Sequence, residues 1–318
     1  MWLRLALALM LSAAGGCGAD PSTRGSASTP ASIPLPSDVA ELRALPVPER
    51  AEAILRLTYP REPEFFLLSA HRRGATQVQV NYRLGDMLTL HLDHGGNLVR
   101  TDRQTHRLDG RNVTTVFEYG PDGRLVRTQR DTSDLSFNPL TITTERGYTQ
   151  GRLTRVATTS TQPQQSQWVA YDYGPKGLLR SVRRGWFDDN GPQEATDRVE
   201  TDALGRLVVL EMANGGKRKS FGYDDSGRLT SYCPTEGSEY LFEYDTSERV
   251  RKVARRDDVA RDTRPTFSMT WDERGLPKLS LSTETGEPQV CSFETTAEAV
   301  TSANCGGETE FTVVYTTP

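Results

Sequence analysis

The chain has 318 residues, of which 36% are hydrophobic, and it carries a formal net charge of −4 at pH 7. A mean hydropathy of −0.56 is typical of a thin sheet with much solvent-facing surface, and it disfavours a thick two-layer core. The near balance of charge disfavours both nucleic-acid binding and a polybasic membrane patch.

Residues 1–16 have the pattern of a secretory signal peptide, in which Arg4 precedes an apolar run that ends at Leu11 and is followed by small residues. The run is too short to span a bilayer as a helix. The residues just before Cys17 resemble the lipobox of bacterial lipoproteins, whose cysteine is lipidated. We therefore expect lipidation at Cys17 and anchoring of an exported protein at the outer membrane or the cell surface. Ordinary signal cleavage is the alternative.

Residues 17–37 are rich in Ala, Ser, Thr and Pro, which predicts a disordered tether between the lipid and the folded part. Short helices are predicted in 38–75: Ser37 can cap one that runs through Ala44, and a second covers Glu49 to Leu57. The second helix is expected to cover the first sheet edge or, alternatively, to bind a partner. A β domain is expected over 76–318.

The middle of the chain repeats one short phrase, whose cleanest copy is YDDSGRL at Tyr223–Leu229. An aromatic residue ends a strand, Asp opens a turn, Gly takes a positive φ, and Arg-Leu starts the next strand. Eight copies lie between Leu92 and Pro277, and the seventh has Glu248 in place of the glycine. The seven turn glycines are Gly96, Gly123, Gly151, Gly177, Gly205, Gly227 and Gly275.

The residues before each turn alternate with period two, as in Tyr240, Phe242 and Tyr244, which indicates strands with one apolar face. After the turn the apolar spacing is three, as in Leu179 and Val182, which predicts a bulge or strong twist. A fixed motif at a short period is typical of repeat architectures. The predicted fold class is therefore all-β, an antiparallel meander of hairpins preceded by short N-terminal helices.

The phrase resembles the YD repeat of the RHS family, whose pattern is Y-D-x-x-G-R-L followed by an apolar residue, and the match covers about two thirds of the chain. The resemblance implies stacked hairpins that coil into a curved sheet or partial shell. In large family members such shells enclose toxin domains, and in animal relatives they serve cell-surface recognition. This chain is shorter and shows no Pro- and Asp-rich core boundary, so neither cargo encapsulation nor toxin activity is carried over.

Five of the eight copies begin with an aromatic residue, and these side chains are predicted to form a ladder along the sheet. The ladder consists of Tyr119, Tyr173, Tyr223, Tyr244 and Trp271. The copy that begins at Gly147 is interpreted as having lost its aromatic residue. Inner packing of the sheet is the first interpretation of the ladder, and a sugar-binding platform is the alternative.

Motifs that carry catalysis or metal binding, such as HExxH, GxSxG and the P-loop, are not found. His91 and His94 flank Asp93 on the first turn but do not converge on one face, so we expect a surface turn and no metal site. Carboxylates at the turns are explained by bonding to turn amides, and the arginines that follow the glycines are expected to pair with acidic groups across hairpins. Cys291 and Cys305 are predicted to form a disulfide worth about 3 kcal/mol.

We therefore predict an exported, lipid-anchored cell-envelope protein that acts as a non-enzymatic binding or structural scaffold, with no cofactor. Its expected partners are the membrane, through the N-terminal lipid, and an unidentified protein or carbohydrate; nucleic acid is not expected. Two alternatives stay open. One is a carbohydrate-binding surface module that uses the aromatic ladder, and the other is an accessory protein of an RHS-type toxin system.

Overall fold

A computed structural model describes residues 45–106, 111–133, 139–188, 190–213, 218–235, 237–246, 249–257, 266–282 and 289–318. Within these residues the chain forms two short α-helices followed by twenty β-strands. The helices are α1 (Val47–Arg56) and α2 (Glu64–Arg73). The strands are β1 (Gln77–Tyr82), β2 (Met87–Leu92), β3 (Leu98–Gln104), β4 (Asn112–Tyr119), β5 (Leu125–Ser133), β6 (Leu140–Thr149), β7 (Arg152–Ser160), β8 (Gln167–Tyr173), β9 (Leu179–Asp188), β10 (Gly191–Thr201), β11 (Leu207–Glu211), β12 (Arg218–Tyr223), β13 (Leu229–Thr235), β14 (Ser238–Tyr244), β15 (Val250–Asp257), β16 (Phe267–Trp271), β17 (Pro277–Ser282), β18 (Gln289–Thr295), β19 (Val300–Cys305) and β20 (Glu308–Thr316).

Every strand pairs antiparallel with the next strand along the chain, and the last strand, β20, pairs with the first. In the closing pair, Val80 lies opposite Val313 and Tyr82 lies opposite Phe311. The all-β antiparallel prediction is confirmed. The predicted curved sheet or partial shell is wrong, because β20–β1 pairing closes the described strands into a barrel and removes the free edges.

The eight copies of the phrase connect consecutive strands at one end of the barrel, which we call the repeat-turn rim. The other end, where the remaining connections lie, is the long-loop rim. A bulge follows each repeat turn: Gly222 faces Ser231 and Tyr223 faces Leu229, which leaves Thr230 as an extra residue on the outgoing strand. The bulge predicted from the apolar spacing of three is therefore confirmed.

The two helices lie inside the barrel and form part of its core. Helix α2 buries six consecutive residues, from Phe65 to Ala70, as expected for a helix that is surrounded on all sides. Phe66 packs edge-on against Phe311 of β20 with ring centres 5.6 Å apart. The predicted role of the N-terminal segment, covering the first sheet edge, is wrong because β1 has a strand on both sides.

The predicted helix from Glu49 to Leu57 corresponds to α1, whereas α2 was not predicted. Helix α2 ends at Gly74, whose φ of 59° allows the left-handed cap. The predicted helix from Ser37 to Ala44, the tether and Cys17 lie outside the described residues. Neither of the described helices has the length and apolar character needed to cross a membrane.

Candidate functional site

Several of the repeat turns are held by an Asp and an Arg of the same turn. Asp224 Oδ1 accepts a hydrogen bond from the backbone N–H of Arg228 at 2.9 Å, and Asp224 Oδ2 accepts one from Arg228 Nε at 2.6 Å. Equivalent ion pairs are Asp202–Arg206 and Asp245–Arg249. The prediction that these arginines pair across hairpins is wrong for these copies. Burial opposes ionisation of Asp224, but the bonds from Arg228 outweigh it and hold the pKa of Asp224 below 3.8.

The tyrosine of one copy is bonded to the copy before it. Tyr223 Oη donates a hydrogen bond to the backbone carbonyl of Leu207 at 2.7 Å, and the Arg206 guanidinium carbon lies 4.8 Å from the centre of the Tyr223 ring. Burial raises the pKa of Tyr223 to about 12, so its hydroxyl keeps the donated proton at neutral pH. The same hydroxyl-to-carbonyl bond recurs in Tyr119–Leu98, Tyr148–Leu125, Tyr173–Leu153 and Tyr244–Leu229.

The aromatic ladder therefore connects neighbouring hairpins. Its four tyrosine rings pack against the core, their hydroxyls are bonded to carbonyls, and the remaining member, Trp271, is buried. This arrangement weighs against a sugar-binding platform, which needs accessible ring faces. The interpretation of the third copy as lacking an aromatic is wrong: Tyr148 fills the position, because its turn at Gln150 and Gly151 is shorter.

All seven predicted turn glycines have a positive φ, between 72° and 81°. Gly96 shows a second requirement for glycine. A Cβ at this position would lie 2.7 Å from Cε1 of His71, on the inner helix α2. The first turn is thus packed directly against the helix inside the barrel.

Helix α1 is bonded to two separate parts of the barrel wall through two carboxylates. The Tyr171 hydroxyl of β8 donates to Glu49 Oε1, and the Tyr232 hydroxyl of β13 donates to Glu52 Oε1 at 2.5 Å. Lys219 Nζ of β12 lies 3.4 Å from the same oxygen of Glu52. Burial raises the pKa of Tyr232, and the nearby charge of Glu52 adds to the effect. These contacts fix the helix in the lumen by charge-assisted hydrogen bonds.

A cleft of about 50 Å³ lies between the α1–α2 connection and the inner faces of β2 to β6. We call it the basic cleft, because its lining includes four arginines and two glutamates, a formal excess of two positive charges. The charged residues are Arg56, Glu62, Glu64, Arg103, Arg130 and Arg146. Thr101, Thr115 and Thr128 add hydroxyl groups to the same lining.

Some of the charges in the basic cleft have protein partners. Arg56 NH1 lies 3.3 Å from Glu64 Oε1, and the Arg103 guanidinium donates a hydrogen bond to the backbone carbonyl of Arg61. In the described part of the chain, no group accepts a hydrogen bond from Nε of Arg130, and none donates one to Oε2 of Glu64. Nε of Arg130 and Oε2 of Glu64 are therefore a donor and an acceptor that the described residues leave unused.

The environment of the basic cleft disfavours several of its charges. Burial lowers the pKa of Arg130, and the like charge of Arg103 lowers it further. Burial also lowers the pKa of Arg146 to about 10. Burial raises the pKa of Glu62. The negative charge of Glu64 raises it further, and the positive charge of Arg103 lowers it. A bound group with negative charge would offset the cost of burying the charges of these arginines.

The sequence contains a pattern that marks this cleft. Three strands carry Thr-x-Arg at inward-facing positions, where the pattern elsewhere has apolar residues. The tripeptides are Thr101-Asp102-Arg103, Thr128-Gln129-Arg130 and Thr144-Glu145-Arg146. An arginine at an inward position of a strand is costly unless it has a partner, so three of them on the nearby strands β3, β5 and β6 mark a polar site.

The histidines of the first turn, His91 and His94, lie apart from each other. His91 Nε2 lies 3.1 Å from Asp102 Oδ2 in a groove on the outer face, where Arg100 also bonds Asp102, whereas His94 is exposed on the turn. Among the described residues, no group of three His, Cys, Asp or Glu side chains has a geometry that could hold a metal.

The two cysteines that the sequence predicted to pair lie opposite each other on β18 and β19. Cys291 and Cys305 form a disulfide. Cys233 on β13 is a free, partly exposed thiol. The lipidation site predicted at Cys17 lies outside the described residues.

Comparison with known proteins shows a weak similarity to solved structures and no similarity to a family model or a curated sequence. No family model and no curated protein matches the chain. A porin-like protein from Bacteroides uniformis ATCC 8492 is 12% identical, with a TM-score of 0.35, and the match covers 76% of this chain and 97% of that one. A TcdB2–TccC3 crystal structure is also 12% identical, with a TM-score of 0.33 and 73% of this chain covered. This chain spans only 15% of the length of that structure.

Proposed function

We propose that this protein is an exported, lipid-anchored cell-envelope protein whose YD-repeat barrel acts as a non-enzymatic binding or structural scaffold. The filled lumen is the observation that carries the proposal. Helix α1 bonds the wall at Tyr171 and Tyr232, and Ser69 of α2 accepts a hydrogen bond from the backbone N–H of Val300 on β19. A barrel filled and cross-connected by its own helices suits a rigid support and not a cargo shell.

The outward face of the barrel supports a scaffold that faces water. On this face Arg198 lies 2.9 Å from Glu200 and 3.7 Å from Glu211, and Arg183 lies 3.7 Å from Glu194 of the neighbouring strand. An arginine or lysine on the lipid-facing side of a membrane barrel costs about 2–4 kcal/mol at the midplane. We therefore assign membrane attachment to the N-terminal lipid and not to the strands.

The N-terminal sequence supplies a tether long enough to hold the barrel clear of a membrane. Cys17 precedes Leu45, the first described residue, by 28 positions. An extended chain of that length spans at most about 100 Å. Helix α1 begins at Val47, two residues after the first described residue, and its Glu49 is bonded to Tyr171 of β8.

Membrane fractionation of the wild type and of Cys17→Ser, with labelled palmitate, tests the anchor. We expect the wild type to carry the label and to sediment with membranes, and Cys17→Ser to lose the label and become soluble. Cys233→Ser is the matched control and should behave as the wild type. Identical fractionation of Cys17→Ser and the wild type would overturn the lipid anchor. Protease added to intact cells then separates a surface location from a periplasmic one.

A further inference from the structure

The scaffold role makes no use of the basic cleft, and we propose that the cleft is a binding site for a single phosphate group that carries an O–H. The ligand is either inorganic phosphate or the terminal group of a phosphate monoester in its singly protonated form. The site is formed by Arg103 and Arg130 on the wall and by Glu64 at the start of α2.

The excess of positive charge in the cleft favours an anion as its ligand. Its lining holds four arginines against two glutamates. One of the arginines, Arg56, is already paired with Glu64 at 3.3 Å. Arg103 is bonded only to a neutral carbonyl in the contacts described for its guanidinium, and Arg130 has an unused Nε–H. A bound anion gains a charge-assisted hydrogen bond from such donors, which is about twice as strong as a neutral one.

The cleft contains a hydrogen-bond acceptor as well as donors, so it favours an anion that also carries an O–H group. Glu64 lines the cleft, and its Oε2 is buried and receives no hydrogen bond from the described residues. A carboxylate oxygen repels a fully deprotonated oxyanion but accepts a hydrogen bond from an O–H. Hydrogen phosphate and dihydrogen phosphate carry such a group at neutral pH, whereas sulfate does not.

Size limits the ligand to one small group. A volume of about 50 Å³ holds only a few water molecules, since one water needs roughly 10–15 Å³ on this measure. Arg103 is the penultimate residue of β3 and Val113 is the second residue of β4, so the cleft extends to the long-loop rim. The volume suits a group of the size of one phosphate, and a sugar ring is too large for it.

The arginines are held in place before any ligand binds. Arg103, Arg130 and Arg146 project from three separate strands of a closed sheet, and Arg146 is only 6% exposed. Fixed donors lose little conformational freedom on binding, which favours affinity for a small ion.

Calorimetric titration and phosphorus NMR line broadening with inorganic phosphate test the site on the purified protein. We expect saturable binding at millimolar concentrations or below, with sulfate at equal ionic strength binding more weakly. Arg130→Gln should weaken phosphate binding about tenfold or more, because one charge-assisted hydrogen bond is lost. Arg130→Lys keeps the charge and should recover part of the affinity. Glycerol phosphate in the same titration distinguishes a monoester from free phosphate.

Arg127→Gln is the matched control, because Arg127 lies on the same strand but faces outward, 3.1 Å from Glu118. It should bind phosphate as the wild type does. Should Arg130→Gln fail to fold, as judged by circular dichroism, Arg103→Gln replaces it. Absence of saturable phosphate binding, or equal affinity in Arg130→Gln and the wild type, would overturn the site. Equal binding of sulfate and phosphate would overturn the role of Glu64.

Discussion

Tyr223 donates a hydrogen bond from its hydroxyl to the backbone carbonyl of Leu207 at 2.7 Å, sixteen residues earlier in the chain. Leu207 begins β11 and Tyr223 ends β12, so this bond ties two successive repeat turns together. Arg206, the neighbour of Leu207, also lies over the Tyr223 ring. The repeated phrase therefore specifies a connection between units in addition to a turn within each unit.

Tyr223→Phe removes that bond and keeps the ring. We expect a loss of about 1 kcal/mol in the free energy of unfolding, the usual net value of one hydrogen bond. Denaturant titration followed by circular dichroism measures it. Tyr223→Leu, which also removes the ring over which Arg206 lies, should cost more. An unfolding midpoint of Tyr223→Phe equal to the wild type would show that the bond adds no stability.

The turns and bulges of this fold could be predicted from the sequence. Gly227 and its equivalents mark the turns because a positive φ is nearly free only for glycine. The bulge at Thr230 follows from the apolar spacing after the turn. Both features depend on a few adjacent residues, which is why a repeated motif is enough to locate them.

Features that depend on residues far apart in the chain could not be predicted in the same way. Pairing of Gln79 with Val314 closes the barrel across more than two hundred residues, and no local pattern encodes it. Helix α2 was missed because a helix buried on all sides has no amphipathic period. The basic cleft was missed because Arg103 and Arg130 become neighbours only when the strands pair.

Acid should weaken the turns before the core. The pKa of Asp224 lies below 3.8 in the folded protein, so its contribution to stability is full above the unfolded value and is lost as pH falls through the folded value. At pH 7 we expect Asp224→Asn to lower the free energy of unfolding by on the order of 1 kcal/mol, and with it the melting temperature. At pH 3 the difference between Asp224→Asn and the wild type should be smaller. Thermal unfolding at several pH values measures this difference.

Asp225→Asn is the matched control for that experiment, because Asp225 is the exposed neighbour in the same turn. It should leave the melting temperature nearly unchanged at both pH values. A destabilisation by Asp224→Asn that stays equal from pH 7 to pH 3 would contradict the role of its charge.

The helices inside the barrel should contribute to its stability. Glu52→Ala removes the carboxylate that accepts from Tyr232 and faces Lys219, and leaves the tyrosine hydroxyl buried. We expect a loss of about 1.5–3 kcal/mol, the range for hydrogen bonds to charged groups. Glu298→Ala, at an exposed position in the connection between β18 and β19, is the control and should be near neutral. Equal unfolding midpoints for Glu52→Ala and Glu298→Ala would argue against a helix bonded to the wall.

Closure of the barrel by β20 and β1 is tested most directly by spin labels on Gln79→Cys and Val314→Cys, in a chain that carries Cys17→Ser and Cys233→Ser. These residues lie opposite each other, and Cα atoms of such pairs are about 4.5–5.5 Å apart. The account predicts strong dipolar broadening between the labels, and weaker broadening for a control pair at Gln79 and Val116, which are three strands apart. Little or no broadening at Gln79 and Val314, with the control pair as expected, would contradict closure and restore an open sheet.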